Sequence, residues 1–123
     1  MQVVDLLRHT AGLTYPEEGT DALHRAYEQV TTFRRDRTLA DFVAGLSVVP
    51  LLYQPGEVWA YSWGVDVLAR VIEVVSGQSF DEFLKSRLFK PLGMVDTSFA
   101  VPEEKLGRLV DPPTGGWDRK SVV

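Results

Sequence analysis

The apolar run Val65, Val67, Leu68, Ala69, Val71, Ile72, Val74 and Val75 constrains this chain more than any other feature, because it leaves only Asp66, Arg70 and Glu73 as a narrow polar stripe. Apolar residues at that density and helical spacing predict a long helix starting near Trp63 and buried on most sides. Gly77 supplies its C-terminal stop, since glycine takes the left-handed conformation without a steric cost. Asp66 and Arg70 stand four apart on the polar stripe and are expected to pair, for a few tenths of a kcal/mol. The next stretch, Ser79-Phe80-Asp81-Glu82, has the form of a capping box. Phe80, Phe83, Leu84 and Leu88 then predict a second amphipathic helix that ends before Pro91 and Gly93.

Upstream, Val3, Val4, Leu6 and Leu7 predict a short helix running toward the turn at Gly12. Only Met1 and Gln2 precede it, so its start is expected to lack a capping residue and to be a cut. Thr20 or Asp21 can cap a helix through Ala22, Leu23, Ala26, Tyr27 and Val30, with His24 on a solvated, charged face. Arg34 to Arg37 read as an exposed link. Thr38 with Asp41 resembles a helix cap, and Leu39, Phe42, Val43 and Leu46 continue at helical spacing until Pro50. Gln54-Pro55-Gly56-Glu57 predicts a tight turn, followed by an extended Val58 to Ser62. Beyond Phe99, prolines 102, 112 and 113 and glycines 107, 115 and 116 predict irregular structure, with one helical turn between Glu103 and Leu109.

A chain of 123 residues with 45% apolar and 24% charged residues has the composition of one folded domain. The net charge of −4, with both signs mixed throughout, offers no basic stripe for phosphates, so no nucleic-acid partner is expected. Cysteine is absent and only two histidines are present, which excludes thiolate chemistry and disfavours a metal site. No apolar run reaches the roughly 18–20 residues of a membrane span, and Met1 to Arg8 lacks the form of a secretory signal. Neither a membrane nor a metal or other cofactor is therefore expected, and a cytoplasmic location is the expectation, with the true N-terminus unseen.

Three stretches occur in an informative order. Leu6-Leu7-Arg8-His9-Thr10-Ala11-Gly12-Leu13 is followed by Tyr53-Gln54-Pro55-Gly56 and Trp59-Ala60-Tyr61-Ser62. The third is Phe83-Leu84, then Leu88-Phe89-Lys90-Pro91-Leu92-Gly93-Met94 and Asp96-Thr97-Ser98-Phe99. Together they resemble the serine β-lactamase and penicillin-binding-protein superfamily, in particular its esterase branch, which is similar to class C β-lactamases. The resemblance implies a mainly α chain, the helical subdomain of the serine β-lactamase-like α+β fold with short extended segments and long loops. It covers residues 1–99 as that subdomain and leaves residues 100–123 as an irregular C-terminal loop or tail.

In such proteins a serine attacks an ester or lactam carbonyl, while a lysine three residues later and a tyrosine from a separate loop handle its proton. Tyr61 matches that tyrosine and is the catalytic candidate; no substrate-binding residue is assigned. A phenol in water titrates at about pH 10, so a base role requires a neighbouring lysine ammonium, and none stands near Tyr61 in the sequence. Read without the resemblance, Tyr61 is a half-buried aromatic beside Trp59 and Trp63. Trp63 stands where the family often has asparagine, which favours an esterase or transesterase over a β-lactamase. The resemblance implies that His9 and Thr10 pack and turn the chain.

The chain contains no Ser-x-x-Lys, Thr-x-x-Lys, Lys-Thr-Gly or His-x-Gly, and no Gly-x-Ser-x-Gly, to which Ser47 and Ser79 come nearest. It is therefore read as a fragment of a serine hydrolase that acts on a small ester or lactam substrate, inactive alone. The alternative is a non-catalytic helical module that binds a partner or forms a homo-oligomer through exposed apolar surface.

Overall fold

A computed structural model describes residues 1–16, 21–32 and 37–110. These residues are helical and loop-like, with no strand among them, so the mainly α expectation holds. The helices are α1 (Val3–Leu7), α2 (Ala22–Thr31), α3 (Leu39–Leu46), α4 (Gly64–Ser76) and α5 (Phe80–Leu84). A π-helical turn, Lys85–Phe89, continues α5, and a 3-10 helix spans Glu103–Arg108. The chain divides into two compact units, residues 1–80 and 81–123. Thr20, the link residues before Arg37 and the tail from Gly115 lie outside the described residues.

In the first unit the caps are local and chemical. Asp21 accepts the His24 N–H at 3.0 Å, and Thr38 and Asp41 exchange bonds across the first turn of α3. Each cap satisfies backbone donors that a helix start leaves orphaned. The start of α1 is capped as well, where no capping residue was expected: the Asp5 carboxylate reaches back to the Gln2 N–H at 2.6 Å. An acid in the first turn can cap from inside the helix, so no cap residue upstream is required. Gly77 ends α4 at φ 70°, as predicted.

The core gathers Leu6, Ala11, Leu13, Tyr27, Leu46 and Val49, with Leu23, Val30, Phe42, Trp63, Val67 and Leu68 packed around it. Tyr27 is fully buried, its hydroxyl donates to the Pro50 carbonyl at 3.2 Å, and burial pushes its phenol up. Helix α4 packs on α1 and α3, and α2 packs on α3. Gly64 makes the first of these contacts close: a Cβ there would stand 2.7 Å from the Leu6 carbonyl oxygen. Gly45 does the same for α2 and α3, facing Val30 and the Arg37 guanidinium.

Four expectations are corrected. Helix α4 is not buried on most sides: only Gly64 and Ala69 are buried, and Val75 is 82% exposed. An eight-residue apolar set exceeds what one flanking pair of helices can cover. Arg70 pairs with Glu73 at 3.0 Å and not with Asp66. Glu73 also accepts the Phe80 N–H at 3.1 Å, so its position is set from two sides. His24 is 7% exposed and not on a solvated face, and its Nδ1 pairs with the Asp21 carboxylate at 2.8 Å, which gives the buried ring a polar partner. Arg37 is not an exposed link residue; its guanidinium donates to the carbonyls of Val30 and Asp41 and lies over the Phe42 ring.

In the second unit, the π-helical bond from the Lys90 N–H to the Lys85 carbonyl leads into a turn at Gly93, φ 65°. Asp96 then receives Lys105 and Arg108 of the 3-10 helix, each at 2.8 Å. Arg108 and then Lys105 hold its carboxyl well below the usual range, at about 2.

Candidate functional site

The first and second resemblance stretches, some fifty residues apart in sequence, are laced together by main-chain hydrogen bonds. The Thr10 carbonyl accepts the Gly56 N–H at 2.7 Å, and the Gly12 carbonyl accepts the Leu52 N–H at 2.8 Å. The His9 carbonyl accepts the Ala60 N–H at 2.9 Å. Gly12 has φ 81°, and a Cβ on it would fall on the Tyr53 carbonyl oxygen, so glycine is needed there on both counts. The turn at Gly56, φ 92°, is closed by the Glu57 N–H bonding the Gln54 carbonyl. Val58 to Ser62 follows as irregular extended chain that pairs with this loop and not with a sheet.

Tyr61 sits on that segment. Its side is open, with the residue 55% exposed, and its ring contacts His9 at 4.7 Å and Tyr15 at 5.4 Å between centroids. Tyr15 meets Trp63 at 4.4 Å, and Trp63 meets Phe42 at 5.2 Å, so the aromatic contacts run from the surface into the packed helices. The next residue, Ser62, is 2% exposed. Its Oγ and the Nε1 of Trp63 are buried without a hydrogen-bond partner among the described residues.

His9 bends the chain at φ 57°, the left-handed region that few residues other than glycine, asparagine and histidine enter. Its Nδ1 accepts the Ser62 N–H at 3.2 Å. Sequence spacing signals none of this, because the partners are distant in the chain. No lysine occurs before residue 85, so none stands in the first unit with Tyr61.

Cavities occur in both units. One of about 200 Å³ lies among α2, α3 and the start of α4, lined by Thr31, Arg37, Thr38, Phe42, Trp63 and Asp66. Burial pushes the Asp66 carboxyl up, a backbone hydrogen bond opposing it. The other, about 600 Å³, lies wholly in the second unit, between the π-helical turn and the 3-10 helix. Tyr61 lines neither. No cluster of His, Asp or Glu that could hold a metal occurs among the described residues, and no described helix is long and apolar enough to cross a membrane.

Comparisons with known proteins agree on one lineage. The chain is 39% identical over 102 residues to penicillin-binding protein 4 of Amycolatopsis lactamdurans, covering 82% of this chain and 24% of that protein. It is 35% identical over 100 residues to esterase EstB of Burkholderia gladioli, covering 80% of this chain and 26% of the relative. Among solved structures, EstCE1, a hydrolase with promiscuous acyltransferase activity, superposes with a TM-score of 0.70 at 28% identity, over 85% of this chain and 28% of that one. The chain thus spans about a quarter of the length of the curated relatives it matches. The model of the family described as Beta-lactamase matches residues 1–122, from α1 through both units, and the chain belongs to that family.

Proposed function

We propose that this chain forms the helical layer of a serine hydrolase that acts on a small ester or lactam through an acyl-serine intermediate, with Tyr61 relaying the proton of the nucleophile. The serine oxygen attacks the substrate carbonyl, its proton passes to the Tyr61 oxygen, and the departing group takes that proton as its bond to the acyl carbon breaks. Water then hydrolyses the acyl-serine. The serine and its companion lysine belong to sequence outside these 123 residues, which contain no Ser-x-x-Lys. The observation that carries this reading is Tyr61 itself, 55% exposed between Ala60 and Ser62, whose N–H groups are both bonded to His9. A purely structural tyrosine would be expected to bury more of its ring. The relatives described as esterases support the substrate class.

The test replaces the matching 100 residues of EstB with this chain. The hybrid should hydrolyse p-nitrophenyl acetate, and Tyr61→Phe should lower its kcat by about 10²–10⁴-fold, the range for loss of a proton-transfer group. The 123-residue chain alone should show no tyrosine-dependent turnover. A folded hybrid that keeps its full rate with phenylalanine at 61 would refute the assignment.

A second reading, a non-catalytic module that self-associates, is favoured by one observation. Val65, Val74 and Val75 of α4 and Val3 and Leu7 of α1 are exposed. Apolar surface of that extent drives association. Light scattering on the chain at high concentration decides it: a clean monomer rules this reading out.

A further inference from the structure

His9 stands outside the chemistry just described, yet it holds the chain on both sides of Tyr61. Its carbonyl takes the N–H of residue 60 at 2.9 Å, and its Nδ1 takes the N–H of residue 62 at 3.2 Å. Its ring lies against the Tyr61 ring, 4.7 Å between centroids and tilted by 43°. It delivers all three contacts from a left-handed backbone, at φ 57°. Such conformations cost free energy and concentrate where surrounding structure holds a functional geometry.

We propose that His9 is a positioning residue for Tyr61, clamping the peptide groups of residues 60 and 62 so that the phenol is presented at one fixed place. The inference rests on the proton-relay role of Tyr61 proposed above. With both neighbouring peptides held, the phenol keeps only its own side-chain rotations, and the His9 ring limits those. Orientation of this kind matters because a displacement of about 1 Å can cost about 10²-fold in rate. The clamp also fixes the imidazole tautomer: Nδ1 accepts a hydrogen bond, so in the neutral ring the proton resides on Nε2. A histidine that merely packs would have no required tautomer.

Asparagine provides the separating substitution. It enters the left-handed region readily, and its side-chain oxygen can replace Nδ1 as acceptor. Glycine tolerates the same backbone and offers no side-chain acceptor, so His9→Gly removes the Nδ1 half of the clamp and the ring without adding strain, while the carbonyl bond to Ala60 stays. In the full 123-residue chain, nitrogen NMR should read the neutral His9 ring as the tautomer with its proton on Nε2 and none on Nδ1. Amide exchange at Ser62 should be about tenfold faster in His9→Gly than in the wild type, with His9→Asn close to wild type. Exchange at Tyr27, in the core, should be unchanged in both and reports that the fold survives. Equal Ser62 exchange in the glycine and asparagine variants, or a proton on Nδ1, would overturn the clamp. In the EstB hybrid, His9→Gly should lower kcat by about 10–100-fold with KM little changed, and His9→Asn should restore it. An intact clamp by NMR, in a hybrid whose rate ignores Tyr61→Phe, would sink the relay reading and spare the clamp. A hybrid sensitive to Tyr61→Phe but indifferent to His9→Gly would sink the positioning role alone.

Discussion

Replacing Gly64 with alanine sets local preference directly against tertiary packing. Gly64 is the first residue of α4, and by helix propensity alone the change should stabilise, by up to about 1 kcal/mol. The packing argues otherwise. The new Cβ would stand 2.7 Å from the Leu6 carbonyl oxygen and 3.4 Å from the Leu6 Cα and carbonyl carbon. Leu6 is 4% exposed at the centre of the core, and the obstructing atoms are backbone, so no side-chain rotation relieves the contact. Relief requires α1 and α4 to separate by several tenths of an ångström, which loosens Val67 and Leu68 against the core. Overpacking of this kind costs about 1–3 kcal/mol. After subtracting the propensity gain, the expected net loss is up to about 2 kcal/mol. For a domain of this size that corresponds to a fall in Tm of up to about 10 °C, read by far-UV circular dichroism. Gly77→Ala, where nothing lies within 4 Å, should lose only the left-handed backbone preference, about 1 kcal/mol, and Gly77→Asn less. If Gly64→Ala melts at or above the wild-type temperature, the close α1–α4 approach is wrong.

Two carboxylates give pH predictions of opposite sign. Asp96 has its folded value depressed to about 2 by Arg108 and Lys105. Its contribution is therefore present above the ordinary value of 3.8 and is lost as pH falls through about 2. Carbon NMR should find that midpoint and see it climb toward 3.8 in Arg108→Ala, whereas an unmoved midpoint would exclude the ion pair. For Asp66 burial raises the folded value, so the unfolded chain ionises first and stability falls as pH rises above 3.8. Asp66→Asn should be more stable than wild type at pH 7 in urea titrations, and the advantage should vanish near pH 3; the reverse trend would refute the burial account.

The helices and their ends were legible because their causes are local. Asp21, Thr38 with Asp41, and Gly77 each act within one turn, and the structure finds them where spacing puts them. Tyr61 was singled out only through the family resemblance, since nothing in its immediate neighbours separates a reacting phenol from a packed one. Which faces are buried was less legible. His24 sits among charged neighbours yet is buried and paired with Asp21, and the valines of α4 outnumber the surface available to cover them.

By itself the sequence determined the helical content, the turn glycines, the absence of a Ser-x-x-Lys and the lineage, all of which depend on residues close together in the chain or on their order along it. Only the tertiary structure decided that residues 9–12 lace to residues 52–62, that Arg70 chooses Glu73, and that Gly64 must carry no side chain. The physical reason is common to all three. Each depends on which backbone groups meet across a gap of chain or between helices, and hydrogen bonds and hard-sphere contacts act over a few ångströms that helical periodicity does not encode.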